Sequence, residues 1–126
     1  MTPDSQPFVL IVDDCDSTRE SLMVAFEAKG LHCKGVVDGE TALELVTEGL
    51  CPTSALVAYH LAQATGAETT RGLKSICPNI QIIATSTEHS RRDEMIEAGA
   101  VEFLGKPFDL NLLFRHVTME FDQDAH

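Results

Sequence analysis

Positive charge is scarce in this chain. Its 126 residues carry 9 Lys plus Arg against 20 Asp plus Glu, a formal net charge of −11 and a sequence pI of about 4.6. So acidic a surface excludes a domain that grips nucleic acid or an anionic membrane with its own side chains, and it favours cations or a basic patch on a partner. Long apolar runs are missing as well: none approaches the roughly 18 residues that span a bilayer. The segment Met1-Thr2-Pro3-Asp4-Ser5-Gln6 has no positive residue before an apolar stretch, which predicts no secretory leader. The cysteines Cys15, Cys33, Cys51 and Cys77 form no CxxC pair and no Cys/His cluster at zinc spacing. Free thiols in a reducing cytoplasm are the expectation. Repeats, low-complexity tracts and linkers are absent; only residues 1–6 and 122–126 read as polar ends.

What is present is a globular composition. Hydrophobic residues make up 44% of the chain, too many for a disordered acidic tail. The length suits a single domain over 1–126, with a core over about 7–121. Phe8-Val9-Leu10-Ile11-Val12 is a short, continuous, β-branched run, the pattern of a strand buried on both faces. It stops at Asp13-Asp14. Ser17-Thr18-Arg19-Glu20 then has the spacing of a capping box, followed by Leu22, Ala25, Phe26 and Lys29 at helical intervals and a glycine stop at Gly30. The alternation recurs. Strands are predicted at 31–37, 55–58, 80–84 and 101–104; helices at 40–48 (Ala42, Leu43, Leu45 and Val46 inward), 66–75, 91–98 and 110–121, the last capped by Asp109. Five βα units in succession predict an α/β fold, a doubly wound parallel sheet of flavodoxin-like order 2-1-3-4-5 with helices on both faces.

In such a sheet ligands bind at the carboxyl ends of the strands, near the point where the order reverses. Those ends carry Asp13 and Asp14, Ala58, Thr85 and Lys106. Adjacent carboxylates at a buried edge repel and lose hydration, and a hard divalent cation such as Mg²⁺ relieves both. A hydroxyl and an ammonium opposite them suit the oxygens of a phosphoryl group. Taken singly, each residue has an ordinary explanation as a solvated turn, a strand-end hydroxyl or a surface lysine. Their arrival at one edge of one sheet is what points to a site.

With these pieces in view, the sequence resembles the receiver domain of bacterial two-component response regulators over roughly residues 7–121. The matching motifs are Val9-Leu10-Ile11-Val12-Asp13-Asp14, Ile82-Ile83-Ala84-Thr85-Ser86 and Phe103-Leu104-Gly105-Lys106-Pro107-Phe108, with Gly66 and the Glu97-Ala98-Gly99-Ala100 turn between them. In that family the aspartate ending the third strand is phosphorylated, and a glycine lies eight residues further on. Counting back from Gly66 gives Ala58, in Leu56-Val57-Ala58-Tyr59-His60-Leu61. A methyl cannot form an acyl phosphate. Tyr59 is turned to the other face by strand alternation, and placing His60 in the acceptor slot would need a two-residue deletion before Gly66.

The resemblance implies a phosphoryl donor on a histidine kinase or histidine phosphotransfer protein. It implies Mg²⁺ held by Asp13 or Asp14, the acceptor carboxylate and the main-chain carbonyl at His60, with Mg²⁺ held weakly where the acceptor is missing. Lys106 and Thr85 would hold phosphoryl oxygens. Thr85 and Phe103 would form a switch acting on the helix 4–strand 5–helix 5 face, where a second copy or an output partner would dock; Phe103 lacks the hydroxyl of a tyrosine at that place. A cis Lys106–Pro107 peptide is implied too. Two explanations of Ala58 follow: a natural pseudo-receiver working by protein contacts alone, or an Asp→Ala change, engineered or recent, in an otherwise ordinary receiver. Retention of Asp13, Asp14, Thr85 and Lys106 favours the second. In neither case is the domain expected to be an enzyme.

A rival from another class is a phosphatase of the haloacid dehalogenase type, since Asp14-Cys15-Asp16-Ser17-Thr18 fits DxDxT. Thr85 and Lys106 could serve as its second and third motifs, but against it stand the extra Asp13, the lack of an acidic pair at the expected distance after Lys106 and a chain too short for the usual catalytic domain and cap. A flavodoxin-like FMN carrier is disfavoured because no phosphate-cradling Ser/Thr-Gly loop follows the first strand. Met23, Met95 and Met119 read as packing residues, and His32, His89, His116 and His126 form no local cluster. Arg91-Arg92 is the basic pair on the predicted signalling face, either a solvated helix start or a partner contact.

Overall fold

The structure, a computed structural model, describes residues 8–124, with side chains described to Val117. The polar segment 1–6, the side chains of Met119 and Phe121, and His126 lie outside the described residues. Five parallel strands, β1 (Phe8–Val12), β2 (His32–Val36), β3 (Ser54–Ala58), β4 (Gln81–Ser86) and β5 (Glu102–Gly105), form one sheet in the order β2-β1-β3-β4-β5. They alternate with α1 (Asp16–Ala28), α2 (Gly39–Thr47), α3 (Gly66–Ile76), α4 (Arg92–Ala98) and α5 (Leu110–Asp124), with a short 3-10 turn at His89–Arg91 before α4. The predicted fold class and strand order are those observed. Among the described residues no helix is long and apolar enough to cross a membrane.

Alternation along the strands builds two cores. Leu10 and Val12, Ala55 and Val57, and Ile82 and Ala84 face α2, α3 and α4, where Val46, Leu73 and Met95 close over them. Val9, Ile11, Leu56 and Ile83 face α1 and α5, against Phe26, Leu113 and Val117. Phe26 meets Phe114 edge-on, with centroids 5.4 Å apart. Such an aromatic pair contributes about 1 kcal/mol beyond its buried area.

The helix starts differ from the sequence reading in how α1 and α3 are capped. The capping box expected at Ser17 and Glu20 does not form: α1 begins at Asp16, with Cys15 at its N-cap and no side-chain cap. The Asp13 carboxylate accepts from the Cys15 amide at 3.0 Å, and this tight turn starts the helix early. The capping box occurs instead at α3. Thr65 Oγ1 accepts from the Glu68 amide at 3.2 Å, and Glu68 Oε1 from the Thr65 amide at 2.9 Å. The stop of α1 is as expected: Gly30 has φ +79, its amide donates to the Glu27 carbonyl and that of Leu31 to the Phe26 carbonyl, a Schellman closure. Asp109 accepts from the Asn111 amide at 2.9 Å and caps α5.

Two stability tests follow. At α2 the Asp38 carboxylate caps the Thr41 amide at 2.8 Å, which holds its pKa below 3.8. A carboxyl depressed in the folded state stabilises above its unfolded pKa and loses that contribution as the pH falls. The stability gap between the parent chain and Asp38→Ala, measured by urea denaturation, therefore narrows as the pH drops below the ordinary carboxyl value of 3.8. Gly66 packs so closely that a Cβ there would lie 2.2 Å from the Ala58 carbonyl oxygen and 2.7 Å from Tyr59 Cα. Because both obstacles are backbone, Gly66→Ala is expected to cost about 3 kcal/mol in the same assay.

Candidate functional site

The apolar run of β1 delivers Asp13 to the carboxyl edge of the sheet, where it is 3% exposed. Four groups of Asp13 are bonded. Its amide donates to the Val36 carbonyl at 3.2 Å, and its carbonyl accepts from Arg19 Nη1 at 2.8 Å. Oδ1 takes the Cys15 amide, and Oδ2 takes Lys106 Nζ at 2.8 Å. Lys106 follows β5 and is anchored at its other end as well, its amide donating to the Ser86 carbonyl of β4 at 2.8 Å. The Lys106–Pro107 peptide is cis.

Between these two lie β3 and β4. Ala58, 4% exposed, is the register partner of Thr85, 3% exposed. Beyond it the Tyr59 amide donates to the Thr85 carbonyl at 2.9 Å, and Gly66 closes the turn by donating to the Tyr59 carbonyl at 2.7 Å. Phe103 is partly buried and packs on the same core as Tyr59. The structure thus joins Asp13 to Lys106 directly and sets Ala58 beside Thr85. Asp14 and His60 lie exposed, the His60 ring paired with Glu88.

Sequence reasoning missed several neighbours. Arg19 stands inside the Ser17–Glu20 cap spacing, yet its guanidinium covers the Asp13 carbonyl and also pairs with Asp16 at 2.5 Å. Strand alternation turns Tyr59 away from Ala58 but names no partner for it. Its hydroxyl donates to Glu94 Oε2 at 3.1 Å, and the Arg91 guanidinium lies over its ring, 4.5 Å from the centroid. Burial raises the phenol above its ordinary pKa, and the bond to Glu94 adds to that. Of the basic pair, Arg91 is thereby engaged within the fold, while Arg92 is exposed. Cys15, exposed at the start of α1, has a thiol lowered to about 7 by hydrogen bonding with Ser17 and Thr18. No spacing rule links Tyr59 to a residue 35 positions away; the i, i+3 pairing of Arg91 with Glu88 and Glu94 was the legible part.

The donor set does not fit a built magnesium site. Residue 58 offers a methyl, and both Asp13 oxygens already accept hydrogen bonds, one of them from a lysine ammonium. Among the described residues no three of His, Cys, Asp and Glu gather in a metal-holding group. Charge compensation comes from the chain itself. An ion pair with one partner 5% exposed and the other 21% leaves a costly carboxylate when its cation is removed. Lys106→Met is expected to lose about 2 kcal/mol in urea denaturation, the partial exposure of Lys106 moderating the effect. Asp13→Asn combined with it should recover much of the loss.

Residues 9–118 match the family model described as the response regulator receiver domain. Among curated proteins, the chain is 29% identical to the response regulator MprA of Mycolicibacterium vanbaalenii over 107 residues, covering 83% of this chain and 46% of that protein. It is also 29% identical to the regulatory protein AtoC of Escherichia coli over 107 residues, 83% of this chain and 23% of that one. The chain thus spans about half the length, or less, of these curated relatives. Among solved structures, a CheY-like receiver domain protein from Methanospirillum hungatei superposes with a TM-score of 0.87 at 20% identity, over 95% of this chain and 97% of that one. The Francisella response regulator 1452 receiver domain gives 0.85 at 21%, over 94% and 99%. Thermotoga maritima TrrA, solved in complex with Mg²⁺-BeF, gives 0.82 at 21%, over 90% and 98%. A family match over most of the sequence, on the fold and strand-end residues described above, means that the chain belongs to the response regulator receiver domain family of two-component systems.

Proposed function

We propose that this domain is a receiver that takes no phosphoryl group at the usual place and acts through protein contacts. The observation that carries the reading is Ala58, a methyl at the end of β3 where the family has its nucleophilic aspartate, eight residues before Gly66. The direct Asp13–Lys106 pair supports it: the ammonium that would meet a phosphoryl oxygen already neutralises the one buried carboxylate at the edge. Mg²⁺ association is weak on this reading, because Asp14 and the main-chain carbonyl at His60 are left without a second free carboxylate beside them. Thr85 and Phe103 keep the positions of a switch pair, but with no phosphoryl group to draw Thr85 inward. Partners are a histidine kinase or histidine phosphotransfer protein, or an output protein or second copy at the face of α4, β5 and α5. A cytoplasmic location fits such partners.

The ion pair also bears on how Ala58 arose. Asp13 and Lys106 have a structural task apart from phosphorylation, so their presence does not date the substitution. An engineered or recent Asp→Ala change and a natural pseudo-receiver share the same chemistry.

Incubation with acetyl phosphate and Mg²⁺ is expected to leave the intact mass unchanged, whereas Ala58→Asp gains one phosphoryl group and binds Mg²⁺ more tightly in a calorimetric titration. A phosphoryl adduct on the parent chain would defeat the reading.

A further inference from the structure

The group around Tyr59 connects two elements that the sheet alone does not join. Helix α4 has 7 residues, of which Met95 and Ala98 are buried, and its N-cap, Arg91, makes no side-chain cap. So short a helix has little stability of its own and takes its position from tertiary contacts. Its carboxyl end is closed by Gly99 and seated by Met95 and Ala98. Its amino end is held differently. The Arg91 guanidinium lies on the face of Tyr59 and reaches Glu94 Oε1 at 3.2 Å and Glu88 Oε2 at 3.5 Å, while the Tyr59 hydroxyl donates to the other oxygen of Glu94. Glu88 in turn pairs with His60, whose ring stands edge-on to Tyr59 at 5.0 Å.

Tyr59 is 6% exposed and belongs to the α2–α4 core, so it is a rigid post. It is also the residue next to Ala58. The Arg91–Tyr59 contact is partly desolvated, where cation–π attraction is stronger than at an open surface. Three groups each touching the other two restrict one another more than any single bond would.

We infer that Tyr59, Arg91 and Glu94 form a clasp that sets the position of α4, so that this helix takes its pose from the residue that directly follows β3. The inference rests on the proposed reading that residue 58 receives no phosphoryl group. In a two-state face, an element must supply different free energies to the two poses in order to choose between them. On this inference the choice is made by side chains of the chain itself. Releasing the clasp frees the amino end of α4 while the sheet stays intact.

The test is amide hydrogen exchange on the full chain, without phosphodonor. Tyr59→Phe keeps the ring and removes only the hydroxyl. It should accelerate exchange of residues 92–98 about fivefold, and Arg91→Gln about tenfold, with β1 and β4 amides unchanged. Arg92→Gln removes the exposed neighbouring charge and should leave α4 as it is. Unchanged α4 exchange in Tyr59→Phe and Arg91→Gln, equal acceleration across the sheet, or an equal effect of Arg92→Gln would overturn the clasp. Failure of the underlying reading shows separately, as phosphoryl uptake in the mass of the parent chain.

Discussion

A carboxylate carried out of water by a buried strand must be neutralised where it stands, and at Asp13 that requirement organises the carboxyl edge of the sheet. Removing such a charge from water costs several kcal/mol, which only close partners offset. Lys106 comes from the far side of the sheet to do so at 2.8 Å, and the Cys15 amide and Arg19 complete the surroundings. The start of α1, the path of the chain after β5 and the placing of Arg19 all answer to this one group. It also explains why the edge reads as acidic in sequence yet is compensated in three dimensions.

Most of the architecture was legible because burial imposes a pattern. Continuous β-branched runs marked strands covered on both faces, and their alternation with amphipathic segments led to the parallel order. Asp13, Thr85 and Lys106 could be placed on one edge by the rule that strand ends gather. What the pattern could not supply was contact. Ser17 and Glu20 had the spacing of a capping box, but spacing does not show that the Asp13 carboxylate claims the Cys15 amide and starts the helix first. Thr65 and Glu68 had the same spacing and do form the box. Likewise alternation put Tyr59 on the correct face, while its partners on α4 come from a segment whose local pattern shows only charge.

Membership of the receiver family and the vacancy at Ala58 are separate matters. The fold depends on volumes and periodicities that an alanine at the end of β3 satisfies, so membership of the family does not by itself decide the chemistry at residue 58. The edge is then best seen as two layers. One, Asp13 with Lys106, holds the strands' ends together. The other is Thr85, the register partner of Ala58. The contacts from Tyr59 to Arg91 and Glu94 lie beside that edge, in the core on which Phe103 also packs.

The Asp13–Lys106 bond has a further consequence for how the molecule assembles. Its partners are 93 residues apart and directly follow β1 and β5, which β3 and β4 separate in the sheet. Closing so long a loop costs entropy that only the intervening pairings can offset. The bond therefore depends on the whole sheet rather than on any local pairing: it requires β3 and β4 to be in register between the two ends that it joins.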